Sequence, residues 1–224
     1  MIIAIDGPAA SGKSTVARAL ATKLGAHYLD TGAMYRSVAF VALDRGVDIH
    51  DEPSVAALAA DVEIDFRHEG GSPVPTAVLV DGEDVTVQIR TPAVDEAVSV
   101  VARMPAVREA MVEQQRHIAE GSETIVLEGR DIGTVVFPAA EVKVFLTASA
   151  EERARRRHAE MAVRGHELDQ AAVQDGIERR DHADSSRDAA PLAAAPDAVV
   201  LDTTGLTIDE VVTAVADIAR GAGR

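Results

Sequence analysis

The sequence predicts an α/β protein, a parallel sheet flanked by helices and interrupted by a small antiparallel β insertion. Three observations predict it. Short apolar runs alternate with stretches of helical periodicity along most of the chain. The first apolar run passes through a glycine-bounded loop straight into a helix. Between residues 62 and 90, closely spaced β-type runs break the alternation.

Taken in order, Ile2, Ile3 and Ile5 read as a buried strand, and Ser14 to Leu24 reads as a helix with Val16, Ala17, Leu20 and Leu24 inward and Gly25 as its stop. Between them lies G-x-x-x-x-G-K-S, formed by Gly7, Pro8, Ala9, Ala10, Ser11, Gly12, Lys13 and Ser14, followed by Thr15. Gly7 and Gly12 let the backbone approach an anion at a helix N-terminus. Lys13 supplies a point charge for β and γ phosphates, and the Ser14 hydroxyl is placed to ligate Mg²⁺.

The segment from His27 to Arg36 reads as a brief strand, a turn and a second helix that Val38, Phe40, Val41 and Leu43 continue. Arg36 is either a substrate anchor near Thr31 or an ordinary surface arginine. Residues 44–84 hold eleven acids against Arg45 and Arg67 and read as a solvated face. Within and after them, Val62, Ile64 and Phe66, then residues 77–80, then Val85 and Val87 are expected as three short antiparallel strands, turning at residues 68–73 and at Asp81-Gly82.

Thr91-Pro92 opens a helix with Val94, Ala97, Val98 and Val101 as its stripe and Ser99 off it. After Met104-Pro105 a further helix is expected with Val107, Met111, Gln114 and Ile118 inward, ending at Gly121. Arg108 in its first turn opposes the helix dipole, which favours a ligand or carboxylate partner.

Residues 124–127 read as a buried strand whose carboxyl end carries Glu128, Arg130 and Asp131, where open α/β sheets bind ligands. A mutual ion pair of Arg130 and Asp131 is the alternative. Residues 142–146 form the next strand, and Ser149 with Glu152 suggests a capping box. On the helix that follows, Arg153, Arg156, Arg157 and Arg164 share a face. That face either clasps a triphosphate or is solvated and partly neutralised by Glu160. A helix from Asp169, with Ala172, Val173 and Ile177 inward, carries Arg179, Arg180, Asp184 and Arg187 near its end. The chain closes with a strand at residues 198–202 and a helix capped by Thr207 and Glu210, with Ile208, Val211, Val212, Val215 and Ile218 inward.

Composition narrows the function. A net charge of −15 argues against general binding of polyanionic nucleic acid. The absence of cysteine removes disulfides and thiolate metal sites. With no leader or membrane-spanning run, a cytoplasmic protein is expected, and without heptads or a large exposed apolar stripe, a monomer.

These motifs together, namely Gly7 to Thr15, Leu29 to Arg36, Gly82 to Val85 with Ile89 to Thr91, Glu128 to Thr134, Glu152 to Arg157 and Arg180 to Arg187, resemble the bacterial cytidylate kinases from end to end of the chain. The resemblance implies the P-loop nucleoside monophosphate kinase architecture. Its core would be a five-stranded parallel sheet (residues 1–35, 121–148 and 190–224), with a monophosphate-binding part (36–120, its small sheet about 62–90) and a short helical lid (about 149–187). It also implies transfer of the γ-phosphoryl group of ATP, with Mg²⁺, to CMP or dCMP in pyrimidine nucleotide metabolism. By similarity, Ser99, Arg108 and Asp131 face the base, Arg36 and Arg130 the phosphate, Arg180, Asp184 and Arg187 the ribose and phosphate, and Thr31 lines the same site. Lys13, Arg130, Arg153 and Arg157 are the expected catalytic cations. Cytosine offers an N4 amino donor to Asp131 where uracil offers an acceptor. A kinase of another small acceptor such as UMP or shikimate, and a regulatory ATPase using Glu128 or Asp131 as its acid, are the competing readings.

Overall fold

The elements follow the apolar pattern in chain order. In this computed structural model, which describes residues 1–163, 169–187 and 190–222, they begin with β1 (Ile2–Asp6), α1 (Lys13–Leu24), β2 (His27–Asp30), α2 (Thr31–Asp44) and α3 (Glu52–Asp61). Next come β3 (Ile64–Arg67), β4 (Ala77–Val80), β5 (Glu83–Asp84), a 3₁₀ turn (Gln88–Arg90), α4 (Pro92–Val101) and α5 (Pro105–Glu120). The chain then forms β6 (Ile125–Gly129), a π turn (Ile132–Val136), β7 (Val142–Thr147), α6 (Ala150–Val163), α7 (Gln170–Ser185), β8 (Val199–Asp202) and α8 (Ile208–Ala222). A five-stranded parallel sheet has the order β2-β6-β1-β7-β8, and a second sheet the order β3-β4-β5.

One compact unit comprises Met1–Leu20 with Val126–Arg224. In it β1 pairs in parallel with β7, Ile5 opposite Val144 and Asp6 opposite Phe145, and β7 pairs in parallel with β8. Ile3, Ala4, Ile5, Val144 and Leu146 are buried, as expected of central parallel strands covered on both faces. The edge strand β8 leaves Val199 and Val200 exposed. On α8 the expected capping box is complete: Glu210 Oε2 accepts the Thr207 amide at 2.8 Å, and Thr207 Oγ1 accepts the Glu210 amide at 3.3 Å. Val211, Val212 and Val215 are buried there, but Ile208 is exposed in the first turn. On α6 the box is only half made. Ser149 Oγ accepts the Glu152 amide, while the Glu152 carboxylate accepts from Arg155 and Arg156. On α7, Asp169 caps as expected and Val173 and Ile177 face inward, whereas Ala172 is exposed.

The other unit comprises Ala21–Ile125. Here α2 follows β2 with no intervening turn, because Asp30 Oδ1 accepts the Ala33 amide at 3.0 Å and caps the helix at the strand's last residue. The acidic stretch contains α3, a helix the sequence pattern did not reveal. Pro53 opens it, Val55, Leu58 and Ala59 are its buried face, and it packs on α5. The third strand of the small sheet is Glu83–Asp84, not the run around Val85 and Val87. The Asp81-Gly82 hairpin, both residues at positive φ, sets the register two residues earlier, and Val87 is exposed. Thr91 precedes α4 in extended conformation as expected, but its hydroxyl donates to Gln88 O instead of capping. The inward face of α5 is Val107, Arg108, Met111, Gln115 and Ala119, so Gln115 takes the place expected of Gln114.

Candidate functional site

β1 delivers the chain into the phosphate loop. Gly7 stands at φ +151°, and a Cβ there would lie 2.0 Å from the carbonyl oxygen of Leu146 on β7, so only glycine fits. Ala10 is left-handed at φ 58°, an unfavourable conformation for a residue with a Cβ that the surrounding loop holds in place. Lys13, the first residue of α1, is buried, and its Nζ donates to Pro8 O at 2.6 Å across the loop. Burial pushes the Lys13 pKa down to about 7. The Arg130 and Arg180 charges act in the same direction, and Glu128 and Asp6 oppose them. A cation held among other cations marks a place that gains free energy from a bound anion. The Ser14 hydroxyl donates to Glu128 Oε2 at 2.9 Å.

At the carboxyl end of β6, the chain turns through Arg130 and Asp131. Arg130 Nε donates to Asp184 Oδ2 at 2.9 Å, and Arg187 donates to the other oxygen, Oδ1. Asp184 is only 2% exposed. Burial alone would raise its pKa, but the Arg130 and Arg187 charges hold the carboxyl below the usual range. Arg130 is thus engaged from α7. Asp131, also buried, starts the π turn, and its carbonyl accepts the Val135 and Val136 amides. Ahead of Gly7, Asp6 accepts the amides of Ile132 and Gly133, each at 2.8 Å, one per carboxylate oxygen. Burial lifts its pKa to about 6, and those two amides work in the opposite direction.

The arginine face of α6 is answered by carboxylates and by the phosphate loop itself. Arg153 donates to Asp181 on α7 and to Ala9 O, while Asp181 Oδ1 accepts the Ala9 amide at 3.1 Å. Arg156 donates to Ser11 O and to Thr203, and Arg157 to Glu160 at 3.0 Å. Ala154, Val173 and Ile177 form a small apolar cluster against Ala9 and Ala10. Arg164 lies outside the described residues.

In the unit formed by Ala21–Ile125, a second set gathers on α2, α4 and α5. Arg36 is not an idle surface residue, since it pairs with Asp95 on α4 and donates to Ile89 O at 3.2 Å. Ser99 lies one turn beyond Asp95 on that helix and is half-buried. Arg108 is buried, donates to Ala102 O, and holds its guanidinium 5.5 Å from the Tyr35 ring centre, a cation–π contact. Thr31 is buried at the start of α2. The structure thus brings Lys13, Arg130, Arg180, Asp184 and Arg187 into one charged neighbourhood and Arg36, Ser99 and Arg108 into another.

Several partners escaped the sequence reading. No sequence pattern marks Asp6, Asp95 or Asp181 as a site residue, and the pairing of Glu128 with Ser14 is not among the expectations for that strand end. For Asp6 alone there was a local signal, an acid closing an otherwise apolar strand.

A glycine-bounded loop between a parallel strand and a helix, with a buried lysine at its end, defines a P-loop nucleotide-binding protein. A crystal structure of an uncharacterised protein from Eubacterium ventriosum shares the fold, with a TM-score of 0.52 at 12% identity over 100% of this chain and 98% of that one. Residues 3–221 match the family model described as cytidylate kinase, and the chain belongs to that family. It is 53% identical over 210 residues to the cytidylate kinase of Pelotomaculum thermopropionicum, covering 94% of this chain and 92% of that protein. To the cytidylate kinase of Geobacillus kaustophilus it is 54% identical over 216 residues, covering 96% and 95%. To that of Rhodococcus jostii it is 50% identical over 212 residues, covering 95% and 91%. Among the described residues, no helix is long and apolar enough to cross a membrane.

Proposed function

We propose that this chain performs its family's reaction, transfer of the γ-phosphoryl group of ATP to CMP or dCMP to give CDP or dCDP and ADP, with the residues assembled above. The observation that carries the reading is the electrostatics at Lys13, where an ammonium, Arg130 and Arg180 act on one another beside the loop amides, in a protein of net charge −15. Triphosphate and monophosphate supply the missing negative charge.

Each group then has a task. Lys13 and the amides of Gly7 to Thr15 hold the donor phosphates, and Arg153 and Arg157 approach them from α6. Arg36 and Arg130 take the acceptor phosphate, with Thr31 beside the same substrate. Arg180, Asp184 and Arg187 attend to ribose and phosphate, Asp184 keeping two of the arginines in place. Ser99, Arg108 and Asp131 read the base, Asp131 accepting the cytosine N4 amino group, where uracil would leave two acceptors opposed. The acceptor is already an anionic oxygen, so no general base is required, and positioning and charge neutralisation carry the rate.

Mg²⁺ fits the donors present. It is a hard cation satisfied by phosphate oxygens, water and few protein oxygens, and the solvent-facing Ser14 hydroxyl, oriented by Glu128, is such a donor. When bound with ATP it neutralises the β and γ oxygens.

The test is ADP release with Mg²⁺ and ATP against CMP, dCMP, UMP, AMP, dTMP, shikimate and no acceptor. Fast turnover on CMP and dCMP, slow on UMP and near zero without acceptor is expected. Acceptor-independent ADP release would overturn the reading in favour of a regulatory ATPase.

A further inference from the structure

The buried carboxylate of Asp6 has no role in the chemistry above, yet it sits at the junction of two loops that do. It is the last residue of β1, followed directly by Gly7. Its Oδ1 accepts the amide of Ile132 and its Oδ2 that of Gly133, the two residues directly after Asp131. From the other side, the Asp131 carbonyl is held by the amides of Val135 and Val136. The peptide groups beyond Asp131 are therefore fastened through the phosphate loop's own entry strand.

Two features make this a specific fit. Lys143 is not the counter-charge of Asp6, since its Nζ is bound to Asp197 and Pro138 O. An asparagine at position 6 would satisfy one amide and set its own NH₂ against the other, so the pair of contacts requires an acid.

We propose that Asp6 is a positioning residue for base discrimination: by gripping the Ile132 and Gly133 amides it fixes Asp131 relative to the phosphate loop, so that acceptor reading and donor placement share one rigid anchor. The inference rests on the reading that Asp131 accepts the cytosine amino group. Its mechanism is geometric. A displacement of about 1 Å in a reading carboxylate is enough to cost on the order of 10²-fold in rate.

The experiment measures kcat/KM for CMP and for UMP, together with KM for ATP and thermal unfolding, in wild type, D131A, D6N and D6A. Loss of the anchor is expected to lower the CMP to UMP ratio of D6N and D6A by about tenfold or more, toward that of D131A. KM for ATP should stay within about twofold in both variants. A purely structural acid would reduce the amount of folded enzyme and leave the ratio unchanged. D6A removes the carboxylate without setting an NH₂ against either amide, and keeps the test open if D6N does not fold. If D131A relaxes the ratio while D6N and D6A retain the wild-type value, the role of Asp6 is overturned. If D131A itself retains the wild-type ratio, the base-reading assignment fails, and this inference fails with it.

Discussion

The phosphate loop and the cluster around Asp184, which we propose meet the two phosphate-bearing substrates, are made from opposite materials. The loop is one continuous segment, its shape imposed by backbone sterics, with Gly7 against the Leu146 carbonyl and Ala10 left-handed. The cluster is assembled from distant segments, with Arg130 after β6 and Asp184 and Arg187 on and after α7, and is held by a buried carboxylate between two guanidinium groups. In the first, cationic charge is the strained element and geometry is secure. In the second, charge is balanced and geometry depends on that balance.

The contrast can be tested in order of expected effect. Lys13→Ala should reduce kcat on the order of 10³-fold, the scale of losing one preorganised charge at a transferring phosphoryl group. Its melting temperature should hold or rise, because the buried ammonium opposes folding; a large fall in melting temperature would show the lysine to be structural.

Asp184→Asn should act the other way, on stability as well as on binding. It removes the buried carboxylate that Arg130 and Arg187 share, which destabilises by about 3 kcal/mol and raises KM for CMP about 10- to 100-fold. The Asp184 carboxyl is held below its ordinary value, so its contribution is present above about pH 4 and is lost as pH falls through the lower folded value. Denaturant titrations should show the gap between wild type and variant closing in acid.

Asp6 has the opposite sign. Its folded pKa, about 6 against 3.8, means that the native state holds the proton more tightly. This group's contribution therefore falls as pH rises from about 4 to 6, by roughly 2–3 kcal/mol in total. Asp131 reinforces that shift and Lys13 opposes it. In Asp6→Asn the downward step should be missing from a stability profile over that window. The smallest effect belongs to a site outside both regions: Thr207→Ala should lower stability by about 1 kcal/mol with turnover unchanged.

What the sequence made legible follows the same division. The loop could be read because its parts are contiguous and each residue type has a single use there. The resemblance names the cations and Asp184, and helical spacing points to Glu160, but neither reveals the other carboxylate partners. Asp95 and Asp181 lie on helices whose faces meet only in the folded chain, and the partners of Asp6 are backbone amides, which no side-chain pattern displays. The α3 helix was hidden because alanine and acid fill most of it, leaving Val55 and Leu58 too sparse a stripe. Gln114 and Gln115 differ by one step of about 100° around α5, and two identical side chains give periodicity nothing to choose between. The third short strand was misplaced because the alternation of Val85 and Val87 suggested pairing that the two-residue hairpin at Asp81-Gly82 had already assigned to Glu83–Asp84.

The position of β1 in the sheet, between β6 and β7, bears on how the chain is made. The phosphate loop leaves the ribosome long before either neighbouring strand, and its tightest steric constraint, the Leu146 carbonyl, later still. Residues 21–125 are continuous in sequence, and within them only the edge strand β2 looks beyond the segment for its neighbour, β6. β1 must wait, unpaired and apolar, for partners far along the chain. The most recognisable segment of the sequence thus takes its final shape from one of the last strands to be made.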